Sequence, residues 1–406
     1  MRAIITYARA WSALAATRSL GRKGIEVVTG DEHEFAPASF SKYSIANFIY
    51  PNPDREPEKF LDTLEEVIRK YRPDDGEYVL MPVHKEAYLI ARHRARFEKL
   101  IKLALPTIDQ IEQVHDKGTL AGHCAEKGIP IPRTVVPESP EEFRRAAERF
   151  PYPAFVKVRQ SAAAVGVKKV GSPEEAVAAF DEFVQAFQLG SGSWPLLQEG
   201  VPGDDYCATF LFERGELRAT MTYHNLRSYP VKSGTGVLRE TVAAPEIEKI
   251  GEQLLGGLGW HGVAEIDFRW QPGSEPSLIE VNPRFWGGLT QAVEAGWDYP
   301  YLLYRLAVDG RVDKIESHAT EVRTETPVMA VLATLHEVMH DESRDLKGRW
   351  ERAKALFRDH KHAVSDIFKW NDPLPALGVF YPLAVFLKHG KVSTELLVSE
   401  GRATVK

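Results

Sequence analysis

Two apolar runs near the middle of the chain each carry polar side chains at regular intervals. EIDFRW holds Glu265 and Asp267, SLIEVNPR holds Glu280, Asn282 and Arg284, and the turn QPGSEPS joins them. Side chains along a strand alternate with a period of two, so Glu265 and Asp267 share one face of the first run. Glu280, Asn282 and Arg284 share one face of the second. Paired as a hairpin, the runs bring Asp267 and Glu280 together. Two carboxylates and an amide oxygen are hard ligands suited to Mg²⁺, which usually also takes substrate phosphates. Arg284 beside them would neutralise a phosphoryl group or grip a carboxylate with two parallel hydrogen bonds. The plainer reading is an edge hairpin whose acids face water. Leu278, Ile279 and Val281 speak against it, because they make the second strand largely buried and a buried acid without a partner is costly.

Three further segments suit a phosphorylated ligand. Lys157 lies in the apolar run AFVKV (154–158), where an ammonium group needs an anion unless it snorkels from an edge strand. The next residues, RQSAAAVG (159–166), offer closely approachable backbone N–H groups for phosphate, or form a plain surface turn. LLQEGVPGDDY sets Gln198 and Glu199 at the end of an apolar run, followed by Val201, a Pro-Gly turn and Asp205. That arrangement suits a hinge reading a base through its backbone and a ribose through a carboxylate; it also suits an ordinary strand end. No G-x-S-x-G occurs, and neither Cys124 nor Cys207 has a histidine that the sequence would pair with it. A nucleophilic side chain is not expected.

These segments need a frame. RAIITY, RAWSALAATRSLGRKG and IEVVTGD read strand, helix, strand, and a helix over 58–71, a strand over 78–83, a helix over 86–100 and a short strand near Leu103 follow. Strands alternating with helices of this length indicate βαβ units around a parallel sheet. The first turn, Tyr7-Ala8-Arg9-Ala10, has no G-x-G-x-x-G, so residues 1–110 read as a Rossmann-like shell without a dinucleotide. A helical segment over 111–128 contains Asp116-Lys117, and GIPIPRTVV marks a boundary. A smaller α+β unit is expected over about 130–215, with a hairpin turning at Arg214-Gly215. The acid-bearing hairpin closes a domain reaching about residue 310, and 311–406 form an extension.

The length of 406 residues gives a soft expectation of two or three domains at roughly 150 residues each. A composition of 44% hydrophobic and 27% charged residues is that of an ordinary globular protein, and the net charge of -6 argues against a nucleic-acid partner. Two cysteines exclude a disulfide framework and no Cys/His cluster suggests zinc. Arginines interrupt the first residues, and no run reaches about 18 apolar residues, so a cytoplasmic setting is expected. Residues 344–369 hold eight Lys/Arg against four Asp/Glu, and LPALGVFYPLAVFL (374–387) follows with two prolines inside it. That run is too short to span a bilayer. It covers an apolar face of the core or forms a dimer contact, or else it rests with the basic stretch 344–387 on an anionic membrane surface.

In kind and in order, these pieces resemble the ATP-grasp superfamily of ligases over roughly residues 1–310, most specifically over 263–288. The resemblance implies a Rossmann-like pre-ATP-grasp domain (1–110), a two-subdomain ATP-grasp fold of α/β and α+β type (111–310, with a lid at about 130–215) and an additional C-terminal segment. It also implies site roles. Lys117, in its Asp-Lys pair, and Lys157 match lysines that contact the nucleotide phosphates. Gln198, Glu199 and the backbone of Val201 match the adenine hinge, and Asp205 the ribose carboxylate. Asp267, Glu280 and Asn282 match the Mg²⁺ ligands, and Arg284 matches an arginine that helps hold the reacting anion. Family members commonly have several glycines in the phosphate loop, whereas here Gly166 follows Ala162-Ala163-Ala164 and Val165. The loop RSYPVKSGTG (227–236), where related ligases often hold their carboxylate, has no residue set that names a substrate. The implied activity is that of an ADP-forming carboxylate–amine ligase using ATP and Mg²⁺ on small-molecule substrates. An acylphosphate is attacked by an amine, or less often a thiol. The alternatives are a bicarbonate-using carboxylase-type enzyme and a nucleotide-binding protein without catalysis. The family also allows a homodimer.

Overall fold

The structure, a computed structural model, describes residues 1–160, 166–229, 231, 234–316, 320–339 and 346–380. Strands β1 (Arg2–Ile5), β2 (Glu26–Asp31), β3 (Ser44–Ile49) and β4 (Tyr78–Met81) form an all-parallel sheet in the order β3-β2-β1-β4. Ala3-Ile4-Ile5 and Val27-Val28 are buried without alternation, as a parallel sheet covered on both faces requires. Helices Trp11–Arg22 and Pro57–Lys70 supply apolar faces to the two cores flanking this sheet. Two expected elements are shorter than their patterns suggest. The strand near Leu103 is a single bridge from Val79 to Lys102, and the helix over 86–100 is two pieces, Glu86–Arg92 and Arg94–Phe97.

A small sheet follows, built from β5 (Thr134–Val135), β6 (Ala154–Lys157), β7 (Val167–Val170) and β8 (Leu196–Glu199) in the order β5-β8-β6-β7. Helices Pro140–Ala147 and Pro173–Phe187 accompany it, each N-capped by a serine, Ser139 and Ser172, that accepts the N3 backbone N–H. Phe143, Phe180, Val156 and Leu197 form the core between them. This sheet ends at Glu199 rather than near 215. The chain reverses through Gly203 (φ +109°), where a side chain would strike the Trp270 backbone, and the next strand joins a different sheet.

That third sheet has seven strands: β9 (Asp204–Glu213), β10 (Glu216–Tyr229), β11 (Thr235–Val242), β12 (Gly262–Trp270), β13 (Ser277–Asn282), β14 (Arg323–Glu325) and β15 (Val364–Ser365). Their order is β13-β12-β9-β10-β11-β14-β15. Tyr206, Phe210, Ile266, Phe268 and Leu278 point to one face and pack on helix Pro245–Gly257 through Ile247, Ile250 and Leu254. Cross-strand register puts Cys207, Tyr223, Arg239, Glu265, Asp267, Glu280 and Asn282 on the other face.

The C-terminal extension is part of this architecture. β14 and β15 complete the large sheet, and helices Pro327–Met339 and Leu346–Asp359 lie between them in sequence. Buried ion pairs anchor it: Arg239 to Asp366 at 2.9 Å and Arg18 to Asp372 at 2.8 Å. Asp372 also accepts from Ser41 Oγ and the Lys42 N–H, fastening the extension to the N-terminal domain. The apolar run expected over 374–387 is a short helical turn, Leu374–Phe380, whose Gly378 abuts Pro37; its remainder lies outside the described residues. Among the described residues no helix is long and apolar enough to cross a membrane.

Candidate active site

The hairpin of β12 and β13 places Asp267 opposite Glu280 and Glu265 opposite Asn282. Strict alternation along SLIEVN would have put Leu278 and Glu280 on one face. A bulge at Ile279, where Asp267 pairs with Glu280 and Phe268 with Leu278, resolves the conflict. Leu278 and Val281 then enter the apolar core while Glu280 and Asn282 face the acids of β12. The neighbouring strands add polar groups that the local sequence does not announce. Cys207 stands opposite Asp267 and donates to Asp267 Oδ1 at 3.0 Å, and the Tyr223 hydroxyl donates to Glu265 Oε1. Asn282 Nδ2 donates to Glu265 Oε2 at 3.3 Å and Asp267 Oδ2 at 3.4 Å.

Burial and mutual repulsion dominate the electrostatics. Burial pushes the Asp267 carboxyl well above its usual range, and the charges of Glu265 and Glu280 add to the rise. Glu265, only 6% exposed, is pushed up by burial to about 7. Glu280 behaves differently. Burial opposes its charge too, but Lys117 and Lys157 prevail and hold it below the ordinary value. Acids facing acids form a set that a divalent cation would relieve. The ligand atoms of Cys207, Glu265 and Asp267 lie within 4.8 Å of one another. Asp267, Glu280 and Asn282 therefore fit Mg²⁺ chemically, and Glu265 borders the same cluster.

The lysines arrive from the other side. The helix expected over 111–128 breaks at Asp116, which N-caps helix Lys117–Lys127 by accepting the Gly118 and Thr119 N–H groups, both at 2.9 Å. The same carboxylate holds Arg159 at 2.9 Å, while the Lys117 N–H donates to the Arg159 carbonyl. The end of β6 is thus fixed to the start of that helix. Lys117 Nζ lies 3.5 Å from Glu280 Oε2. Lys157 donates to Gln198 Oε1 at 2.6 Å, and Gln198 Nε2 donates to Thr134 at 2.9 Å. Burial lowers the Lys157 pKa to about 8, with Lys117 adding to the fall and Glu280 and Asp267 opposing it.

Arg284 donates to Asn282 Oδ1 at 3.1 Å and to the Phe285 carbonyl at 2.7 Å, while its Nε is buried without a hydrogen-bond partner among the described residues. His84, Tyr88 and His115 lie within its field. Burial, then Lys117 and Arg284, bring His115 down to about 4, and burial holds His84 well below the ordinary histidine value. Both rings are neutral near pH 7, so neither adds positive charge beside Arg284.

The remaining expected positions are more peripheral. Gln198 is buried, and its side chain supports Lys157 instead of lining an open hinge. Glu199 and Val201 are half-buried at the end of β8, with the Glu199 N–H given to the Arg133 carbonyl. Asp205 is exposed at the rim, 2.6 Å from Arg269. Gly166 has φ +68°, and a Cβ there would stand 2.6 Å from Val158, so glycine is required where β7 begins. Residues 161–165 of the expected phosphate loop, and 230, 232 and 233 of the 227–236 loop, lie outside the described residues. The structure therefore brings Lys117, Lys157, Asp267, Glu280, Asn282 and Arg284 together. It adds Cys207 and Tyr223 through the register of neighbouring strands and Arg159 through the cap at Asp116, and it gives Glu265, already on the face of Asp267, its partners Tyr223 and Asn282.

A family model described as "ATP-grasp in the biosynthetic pathway with Ter operon" matches residues 196–330. The carbamoyl phosphate synthase large chain of Hyperthermus butylicus is 25% identical over 339 residues, covering 77% of this chain but 29% of that one. The biotin carboxylase domain of Hydrogenobacter thermophilus 2-oxoglutarate carboxylase, in complex with MgADP, ADP and bicarbonate, superposes with a TM-score of 0.63 at 17% identity over 79% of this chain and 73% of its own. For the L-amino acid ligase of Bacillus licheniformis the values are 0.59, 16%, 76% and 73%. Topology and likeness agree: the chain has the ATP-grasp fold, with an N-terminal α/β domain before it and an additional C-terminal segment after it.

Proposed function

We propose that this protein is an ATP-dependent ligase that phosphorylates a substrate carboxylate and passes the acyl group to an amine. The observation that carries the reading is the meeting of Lys117 and Lys157 with Glu280, directly opposite Asp267, between the small and large sheets. Phosphoryl transfer asks mainly for positioning and charge stabilisation, and these residues supply both. Lys117 and Lys157 would lie against the nucleotide phosphates, with Gln198 fixing the direction of Lys157. Asp267, Glu280 and Asn282 would hold Mg²⁺, whose contribution when bound is to neutralise charge on phosphate oxygens. Arg284 would grip the carboxylate. One carboxylate oxygen takes the γ-phosphoryl group as its bond to ADP breaks. The amine nitrogen then attacks the acyl carbon, phosphate leaves, and the nitrogen loses a proton. No side-chain nucleophile takes part.

A second reading, with bicarbonate as the carboxylate, draws support from the likeness to a carboxylase domain solved with MgADP and bicarbonate. One experiment addresses both. The protein is incubated with ATP, Mg²⁺ and a panel of amino acids and small carboxylates, with and without labelled bicarbonate, and ADP and product masses are read. ADP formation that needs a carboxylate–amine pair and yields their condensation product supports the ligase. Label in the product supports the second reading. No ADP with any combination overturns both.

A further inference from the structure

The C-terminal unit sorts its charges in a way the sequence count does not show. Its acids turn inward to arginines of the body: Glu337 and Asp359 to Arg227, Asp366 to Arg239, and Asp372 to Arg18. Of its bases, Lys369 pairs with Glu294 of the body at 2.8 Å. Lys354, Arg358 and Lys361 are exposed, and among the described residues of 346–380 only Glu351 remains as an exposed acid, paired to Lys354 at 3.1 Å. The exposed Lys, Arg, Asp and Glu side chains described over 346–380 are thus three bases and one acid, on a chain whose net charge is -6.

Large apolar side chains are exposed on the same segment. On helix Leu346–Asp359 and just beyond it, Trp350, Lys354, Phe357 and Lys361 follow a helical stripe, with Trp350 63% exposed and Lys354 Nζ 5.3 Å from its ring centroid. Trp370, a few residues on, is 88% exposed. Helix Pro327–Met339 buries Ala330 and Ala333 against Val237 and Leu238 of the large sheet. It leaves Val328, Leu332, Leu335 and Met339, spaced on one opposite stripe, open to solvent. Isolated exposed apolar residues are ordinary; two helical stripes of them, with exposed tryptophans, lysines and an arginine in the same segment, are not.

We propose that the exposed side chains of helices Pro327–Met339 and Leu346–Asp359 and of residues 360–380 dock on an anionic lipid bilayer. Tryptophan favours the interface between headgroups and acyl chains, the aliphatic stripe would enter the acyl boundary, and the bases would meet lipid phosphates and carboxylates. The inference is independent of the ligase reading, since no residue of the acid–lysine site belongs to this surface.

The test is co-sedimentation of the full chain with vesicles of mixed phosphatidylserine and phosphatidylcholine, and with phosphatidylcholine alone, at low and high salt. The expected result is binding to the anionic vesicles at low salt and release at high salt, because exposed charges are screened. Trp350→Ala with Trp370→Ala, and separately Lys354→Glu, Arg358→Glu with Lys361→Glu, should each weaken binding roughly tenfold or more. These side chains are exposed, so the melting temperature should stay put. No binding to anionic vesicles at low salt overturns the proposal, as does binding that both variants retain. Sedimentation velocity supplies another overturning outcome: a wild-type dimer that the tryptophan variant converts to monomer, without vesicle binding, makes this surface a contact between two copies.

Discussion

One face of the large sheet handles buried charge in two opposite ways. At the β12–β13 end, Glu265, Asp267 and Glu280 face one another, and the lysines that neutralise Glu280 belong to other parts of the fold. At the β11–β15 end, Arg239 meets Asp366, and its remaining N–H groups go to the Gly236 carbonyl, Thr324 and Thr326. The second pairs its opposite charges within the sheet, although Asp366 Oδ1 is left without a hydrogen-bond partner among the described residues. The first is neutralised only when positive charge arrives from outside. A buried acid with its own arginine holds the chain together, whereas acids set against acids store repulsion for a ligand to relieve.

Changing an acid to its amide should therefore act oppositely on stability at Asp267 and at Asp366. The largest effect is expected for Glu280→Gln, which should cut ADP formation by about 10²- to 10³-fold, and should lower the melting temperature as well, because Lys117 and Lys157 lose the anion they hold. Unchanged turnover would remove Glu280 from the site. Next comes Asp366→Asn, which leaves Arg239 charged and buried without its partner. Urea unfolding should show a loss of about 3 kcal/mol, and a loss within experimental error would mean that the extension is not held by this pair. A smaller gain, about 1 kcal/mol, is expected for Asp267→Asn in the presence of a chelator, because one repelling acid is gone. Destabilisation there would show that the cluster is satisfied as it stands.

The smallest effect concerns the lysines facing the open acids. Lys157 has a folded pKa near 8, below its unfolded value, so it loses its proton as pH rises through about 8. Its attraction for nucleotide phosphate is full below that pH and fades above it. ADP affinity by calorimetry should fall about fourfold between roughly pH 7 and roughly pH 8.5. Lys157→Arg should abolish the fall, and a profile identical to the wild type would assign the pH dependence to another group.

Several features of the site were legible in the sequence because they are local. EIDFRW and SLIEVN carry a two-residue period and a turn between them, and that fixes a hairpin with Asp267 near Glu280. Asp116-Lys117 was visible as a pair, but not that Asp116 would break the helix and hold Arg159. Gly203 ends the small sheet, yet Pro-Gly turns alone do not say which sheet the following strand joins. Glu265 shared a face with Asp267 from the start; its place beside Tyr223 and Asn282 depends on partners 42 and 17 positions away. The C-terminal extension gave no cue to its strands, because β14 and β15 are three and two residues long and owe their form to the sheet they complete.

Arg18 and Asp372 are 354 positions apart, yet they close a single buried contact. A ribosome finishes helix Trp11–Arg22 long before it reaches the aspartate. Until then the guanidinium has no buried partner, and the gap that Asp372 fills beside Ser41 and Lys42 stays wet. The N-terminal domain can form its sheet early, but its outer seam is sealed by a segment made 354 positions after Arg18. A nascent chain stalled short of that segment would carry a hydrated cationic cleft that the finished protein lacks.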